Sequence, residues 1–459
     1  MNPAISRRFQ ILHAFYNRGA AVQHWFAQRI RPAGAACMMV VCVAAFMIMS
    51  VGRPKDSIFQ IFCFSVGLLF LGLCWVLFRK AKLKAFHNLP SHATVGEPVN
   101  YSVVLENMGK RKIRSLILAQ IPPDPRPTIA EFSILKEPGE DRRNAFDRTM
   151  VYYRWQWLMS RKKGFTPMES ERINELGSGE SMRLPMTLVP HRRGVIAMDR
   201  LRALLPDPLG FFQKCAAVEA LPDRLVVLPK RYRLPLFAMP GEAAFHIGGE
   251  ETGNAKGSAG EFVGLRDYRP GDPLRQIHWK SWAHTGRPVV KELEDTFYPR
   301  YGLVLDTFAG SPDENIFEEM ISVAASFVVG LDRSESLLDL MFIADKAHTV
   351  TSGRGMGKAE TLLEVLAGVR MDGENRFDAL ARTVASHQGH MTSCLVILNG
   401  WDSERAEFIK SLLKVGITCV PLAVGHGERP DGFGGHWLES SEIERDLLRL
   451  PPRFSAATM

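Results

Sequence analysis

The sequence predicts a multidomain protein with two transmembrane helices, a β-sandwich-like middle region and an α/β carboxy-terminal domain. Three observations predict it. Two uncharged apolar runs stand six residues apart near the N-terminus, strand-like alternation dominates residues 90–230, and strands alternate with helices after residue 299. At 459 residues the chain exceeds one compact core and fits two or three domains.

The first apolar run extends from Ala33 to Val51 and the second from Ile58 to Phe78, joined by GRPKDS. The first is long enough as a helix to span roughly 28 Å, close to a bilayer core, and the second is similar. The alternatives are a pair of buried soluble helices or a cleaved signal peptide, whose apolar region is shorter. Arg7, Arg8, Arg18, Arg29, Arg31, Arg53, Lys55, Arg79, Lys80, Lys82 and Lys84 face only Asp56 in residues 1–84. The net charge of +8 therefore belongs to the membrane flanks, and the rest of the chain is slightly acidic. A nucleic-acid binder carries its basic excess on a folded domain, so nucleic acid is excluded as a partner. The positive-inside rule places both termini in the cytoplasm. Residues 1–32 form a basic cytoplasmic tail, and residues 33–84 the hairpin with its basic exit. In the tail, Phe9, Leu12, Tyr16, Val22, Phe26 and Ile30 fall near one helical face. That face suits membrane lipid, the anionic leaflet in particular, and a solvated leader explains it equally. An acid-free, Arg-rich tail also suits an organellar transit peptide.

Cys37, Cys42, Cys63 and Cys74 lie in the apolar runs; Cys215, Cys394 and Cys419 are scattered, with no C-x-x-C. A reducing compartment fits this usage.

Residues 85–230 read as a β-rich, sandwich-like domain. Val99, Tyr101, Val103 and Leu105 alternate, a turn follows at Asn107–Lys110, and Ile113–Ile121 is a second strand. Further strands are expected at Met182–Val189, Val195–Leu205 and Leu225–Leu228. Residues 122–180 read as an irregular insertion. Its aromatic stretch VYYRWQWLMSRKKGF (151–165) is expected to be a strand pair with one apolar face, and contact with lipid head groups is the alternative.

Residues 231–298 connect the two soluble domains and hold the densest charge. The core stretch is GSAGEFVGLRDYRPGDPLRQIHWKSWAHTGRPVVKELED (257–295). Pro270–Gly271 predicts a type II turn. Trp279 and Trp282 are spaced to share a helix face. An enzyme reading rests on His278 and Asp272, yet His278 and His284 are six apart and no third ligand completes a metal site. The residues read better as a salt-bridged segment. Arg266 or Arg275 is expected to pair with Asp272 and Trp279 to bury its ring against the α/β domain; a partner surface is the alternative. This stretch resembles the hallmark of a bacterial family, domain of unknown function fifty-eight. The matching positions are Gly260, Phe262, Gly264, Leu265, Arg266, Tyr268, Gly271, Asp272, Arg275, Ile277, His278, Trp279, Lys280, Ala283, Thr285 and Gly286. PHRRGVIAMDRLRALLPDPLGFF (190–212) is similar to a second family segment, with Leu209 where Phe is usual. The resemblance covers most of the chain and is weakest at 122–180.

Residues 299–459 alternate strand and helix, which implies a mostly parallel sheet covered on both faces. The resemblance implies a von Willebrand factor A-like domain. Such domains often hold Mg²⁺ through D-x-S-x-S, because a hard cation needs carboxylate and hydroxyl oxygens. Here Asp306 is followed by Thr307-Phe308-Ala309-Gly310, Ser311 is off the spacing, Glu-Asn-Arg stands at 374–376, and Asp402 comes late. Asp306 is the one retained candidate, and no metal site or cofactor is expected; Asp306 reads as a carboxylate capping the following turn. GRGMGKAET (353–361) lacks the leading Gly and the final Ser or Thr of a phosphate loop.

The expected function is a non-enzymatic scaffold or adaptor in the bacterial inner membrane. The resemblance implies work with a MoxR-type AAA+ ATPase in envelope or protein-complex maturation, alongside other membrane or envelope proteins. The alternatives are a metal-dependent adhesion-type module acting through Asp306, and an enzyme using His278 and Asp272.

Overall fold

The computed structural model describes residues 6–51, 56–137, 139–167, 169–240, 261–294, 300–308, 314–332, 337–344, 346–352, 359–372, 374 and 376–455. It divides into two compact units, residues 1–230 with 364–368, and residues 231–363 with 369–459.

The first unit opens with three helices, α1 (Arg7–Arg29), α2 (Pro32–Val51) and α3 (Asp56–Phe78). Pro32 suits the first helical position because its missing N–H has no partner there. Both α2 and α3 are long and apolar enough to cross a membrane. They pack on each other, yet Phe46, Met49, Phe64, Phe70 and Phe78 stay exposed. A buried soluble hairpin would cover these side chains.

Next come β1 (Leu83–Asn88), β2 (His92–Thr94), β3 (Val99–Asn107) and β4 (Ile113–Gln120). Val99, Tyr101, Val103 and Leu105 point into the core in alternation, as the period of two requires. Asn107 makes the turn: its Oδ1 accepts from Gly109 N at 2.9 Å, and its Nδ2 donates to Arg111 O at 2.9 Å.

The insertion is helical. It holds α4 (Ile129–Ile134), α5 (Ala145–Met150) and α6 (Tyr152–Lys162). The strand pair expected at 151–165 is therefore corrected to a helix followed by a short strand. Trp155 and Leu158 are three apart and both buried, a helical spacing hidden by the β-prone aromatics around it. Thr128 and Glu131 form a reciprocal capping box on α4. Arg154 and Glu140 form a buried ion pair beneath α6. Phe132, Val151, Trp155 and Leu158 make a small core of their own, against which Phe9, Leu12 and Tyr16 of α1 pack.

The remaining strands are β5 (Phe165–Pro167), β6 (Ile173–Leu176), β7 (Ser181–Pro190), β8 (Gly194–Ala197), β9 (Leu201–Pro206), β10 (Gln213–Ala217), β11 (Glu219–Ala220) and β12 (Arg224–Leu228). One sheet runs β11-β1-β3-β7-β5, a second β10-β9-β4-β6 and a third β2-β12-β8. Their inner faces share one apolar core that includes Val103, Leu105, Leu116, Leu118, Leu184, Met186 and Val227. The single strand expected over 195–205 is two strands, β8 and β9.

The loop 207–212, Asp-Pro-Leu-Gly-Phe-Phe, seats this β region on α2 and α3. Phe211 O accepts from Arg31 N at 3.0 Å, and Ile30 bridges Phe212. A Cβ on Gly34 would strike Phe211 O, and one on Gly72 would strike the Asp207 carboxylate and lie 3.3 Å from the Phe212 ring. Backbone stands in the way at Gly34, so glycine is needed there; at Gly72 the Asp207 side chain would have to shift. Arg79 Nη1 donates to Pro206 O at 2.8 Å from the end of α3.

In the second unit, β13 (Glu261–Asp267) pairs antiparallel with β14 (Val289–Glu294), and α7 (Trp279–Thr285) lies between them in sequence. Then follow β15 (Arg300–Leu305), α8 (Glu314–Asp332), β16 (Leu337–Ile343), β17 (Ala347–Ser352), α9 (Ala359–Gly368, of which 364–368 count with the first unit), α10 (Phe377–Ser386), β18 (Ser393–Asn399), α11 (Ser403–Lys414), β19 (Cys419–Gly425), β20 (His436–Glu439) and α12 (Ile443–Leu448). The sheet order is β17-β16-β15-β18-β19-β20, parallel except for the edge strand β17. Strands β18 and β19 are buried throughout, as strands covered on both faces must be.

Candidate functional site

Two places in the second unit gather the residues that the sequence singles out. The first is the arm formed by β13, α7 and β14. Arg269 O accepts from Asp272 N at 3.0 Å across Pro270–Gly271, and Gly271 has φ of 110°. That positive φ at the third turn position is what a type II turn requires of glycine. The turn brings Asp272 back to Arg266. Both guanidinium Nη atoms reach the carboxylate, each at 2.7 Å, and Arg269 N donates to it at 2.8 Å. The Arg266 fork, helped by the Arg269 amide, holds the Asp272 carboxyl down at about 2. A planar fork matches a carboxylate in a way Lys cannot copy.

His278 caps α7. Its Nδ1 accepts from Ser281 N at 3.3 Å and lies 2.7 Å from Ser281 Oγ. Its own N–H donates to Val289 O at 2.8 Å, tying α7 to β14. Among the described side chains of the arm, Ile277, Val289 and Val290 are buried, and Ile277 bridges Val290. Tyr268 N donates to Pro288 O at 2.9 Å, and Gly264 sits at a register shift in β13. With Asp272 engaged by Arg266 and His278 engaged as a cap, these residues serve the local fold.

One expectation is overturned here. Trp279 does not bury against the α/β domain; it is 63% exposed. Its ring stacks on Trp282 at 5.3 Å between centroids, 19° from parallel. Leu265 and Leu274 are exposed as well, and so are Arg269, Arg275 and Lys280. Of the two arginines offered as partners of Asp272, Arg266 makes the pair, and its side chain is itself partly exposed. The arm thus folds on its own turn, cap and strand pair while presenting apolar and basic side chains outward. Residues 241–260, with Gly260 of the signature, lie outside the described residues.

The second place is the carboxyl end of β15 and β18. Strand β15 has β16 on one side and β18 on the other, so the sheet reverses its order there. Ligands of open α/β sheets bind at such a switch point. Asp306 follows β15 directly and is fully buried. Its Oδ1 accepts from Phe308 N at 3.0 Å, the turn cap that its position predicts. Its Oδ2 accepts from Asn399 N at 3.0 Å and from Arg405 Nε at 2.7 Å. Burial pushes the Asp306 carboxyl up, and Arg405 with the two amides pulls it back.

Arg405 is a site residue that sequence reasoning missed. It is 1% exposed, pairs with Asp306 and Asp402, and lies 5.3 Å from the Phe377 ring centroid. Asp402 caps α11 through Arg405 N at 2.9 Å. The one usable signal is Asp402-Ser403-Glu404-Arg405 itself, a helix cap with an arginine three residues on. Asn399 Nδ2 donates to Phe308 O at 3.1 Å, while its buried Oδ1 has no partner among the described residues. Thr307 Oγ1 donates to Ile343 O, and Arg376 pairs with Asp372. The charge that balances Asp306 is thus an internal guanidinium, and Thr307 turns its hydroxyl to the backbone. Among the described residues no cluster of three His, Cys, Asp or Glu is placed to hold a metal ion. Ala309, Gly310 and Ser311, and residues 353–358 of the phosphate-loop-like stretch, lie outside the described residues.

No family model matches the chain. Over 202 residues it is 25% identical to the uncharacterized protein YeaD of Bacillus subtilis (strain 168), a stretch covering 44% of this chain and 49% of that protein. The chain thus spans about half the length of the curated relative it matches. Among solved structures, the CARDB domain of a Pyrococcus furiosus protein aligns at 11% identity over 33% of this chain and 91% of that domain, with a TM-score of 0.16. The FixG-related protein from Vibrio parahaemolyticus aligns at 9% identity over 32% of this chain and 97% of its own, also with a TM-score of 0.16. Likenesses this slight carry no argument, and the chain's own residues remain the basis for a function.

Proposed function

We propose that this chain is a membrane-anchored, non-enzymatic adaptor that presents its β13–α7–β14 arm to a cytoplasmic protein partner. In this reading α2 and α3 cross the bacterial inner membrane with both termini inside, as the basic flanks direct. The partner is a MoxR-type AAA+ ATPase, which supplies the ATP hydrolysis, and the α/β domain is von Willebrand factor A-like. The observation that carries the reading is the exposure of Trp279, Leu265 and Leu274 among Arg269, Arg275 and Lys280 on a self-supporting arm. Tryptophan and arginine are the residues most often dominant in protein interfaces. A surface of this kind fits an acidic partner face with an apolar pocket.

The reading is tested by capturing partners from native membranes with the full chain and with Trp279→Ala and Arg275→Ala. Both variants should keep the melting temperature of the parent and lose the ATPase. Variants that lose stability in step with capture would show that the arm is structural. Capture that persists in both would show that the partner sits elsewhere.

A further inference from the structure

Helix α1 has two apolar faces. The inner one is closed. His13 and Tyr16 lie 5.6 and 5.8 Å from the Trp155 ring, and Phe9 lies 6.0 Å from Phe132. The outer one is open: Ile11, Phe15, Val22 and Trp25 are all exposed, Phe15 at 70%. Their spacings of four, seven and three residues draw one stripe along the helix. Arg18 belongs to the same stripe by spacing, and the Arg29 guanidinium lies 4.6 Å from the Trp25 ring centroid. No acidic residue occurs anywhere in α1.

We propose that the outer face of α1 lies in the headgroup–acyl boundary of an anionic lipid surface. The proposal rests on the membrane-spanning reading of α2 and α3. Three further observations select lipid as the occupant. The stripe leads directly into the apolar hairpin along the chain, because α1 ends at Arg29 and α2 starts at Pro32. The junction is fixed by Arg31 N on Phe211 O and by Gln213 Nε2 on Gln28 O at 3.1 Å, so the end of α1 stays where α2 begins. The charge is of one sign and complements anionic headgroups, while Trp25 offers the apolar body and polar tip that such a boundary favours. The inner face, clasped by α4 and α6, holds α1 helical beforehand, so contact with lipid need not order it.

The test places benzoylphenylalanine at Phe15, Val22, Phe46 or Trp279 of the full chain. Each protein is reconstituted in phosphatidylcholine vesicles with or without phosphatidylglycerol and irradiated in the presence of tritiated phospholipid. Phe15, Val22 and Phe46 of α2 should all form lipid adducts, and Trp279 should not. Omitting phosphatidylglycerol should lower the adducts at Phe15 and Val22 about fivefold and leave Phe46 unchanged. Lipid adducts at Phe46 without any at Phe15 or Val22, or adducts there only to a second copy of the chain, would overturn the proposal and leave the membrane reading intact. An absence of lipid adducts at Phe46 would overturn the membrane reading and the proposal with it. Adducts at Phe15 and Val22 that ignore phosphatidylglycerol would overturn the anionic part of it.

Discussion

Replacing Arg405 with methionine leaves Asp306 buried with two backbone amides and no counter-charge. Both side chains of the pair are essentially inaccessible, so solvent cannot take over from the guanidinium. Breaking a buried pair by removing one partner costs roughly 3–5 kcal/mol. For a unit of this size each kcal/mol moves the melting temperature by about 2–4 °C, so the loss should be roughly 6–20 °C. Asp402 offers a contrast, because its side chain is 43% exposed. Asp402→Ala gives up a pairing open to solvent on the Asp402 side and a helix cap, about 1–2 kcal/mol together, and leaves Arg405 still paired with Asp306. The sign with pH follows from Asp306. Its folded-state carboxyl is already pushed up by burial, and losing Arg405 pushes it further. A carboxyl raised on folding favours the folded state at low pH and loses that contribution as pH rises through its folded value. The Arg405→Met penalty should therefore shrink as the pH is lowered from neutral. The assay is thermal unfolding of the full chain in detergent from pH 5 to 8, with hydrogen exchange of β15, β18 and α11 reporting the locus. Asp306→Asn combined with Arg405→Met should recover most of the stability. A single-variant loss below about 1 kcal/mol, as for an exposed pair, would refute the reasoning.

Three further outcomes are expected. The Asp272 carboxyl, followed by carbon NMR, should titrate near 2; its stabilisation of the arm is present above the ordinary carboxylate range and is lost as pH falls towards that value, and a midpoint near 4 would refute the Arg266 pairing. Gly72→Val should cost about 1–3 kcal/mol by overpacking against Asp207 and Phe212, as read by thermal unfolding, whereas Gly67→Ala, which meets nothing within 4 Å, should be tolerated. Glu140→Ala strands Arg154, which is 4% exposed, so exchange of α4–α6 amides should rise steeply while the β-sheets keep their protection.

Much of the architecture is legible from periodicity. Uncharged runs give α2 and α3, alternation gives β3, and the strand–helix repeat gives the parallel sheet. The insertion is misread because its aromatics favour strands on average, whereas packing of Trp155 and Leu158 on α1 decides the matter. The edge strands β17 and β20 escape notice because they are short or polar and lack the continuous apolar signal of β18. In the arm, turn chemistry and the Arg266–Asp272 pair are local and so readable. The exposure of Trp279 is not local: tryptophan is buried in most folds, and only three-dimensional packing shows that this one faces outward. Arg405 is farther still, since its partner Asp306 lies 99 positions away in the chain.

The glycine-tight seating of residues 207–212 gives the anchor a mechanical character. A flexible leash lets its cargo tumble and transmits only tension. Here β9 and β10 rise from the 207–212 loop itself, and β9 sits inside the four-stranded sheet. A change in the tilt of α2 against α3 must shear the Gly34 and Gly72 contacts or rotate the β region with it. In the role proposed above, such a joint would behave as a crank, turning a pull on the β region into torque on the helix pair.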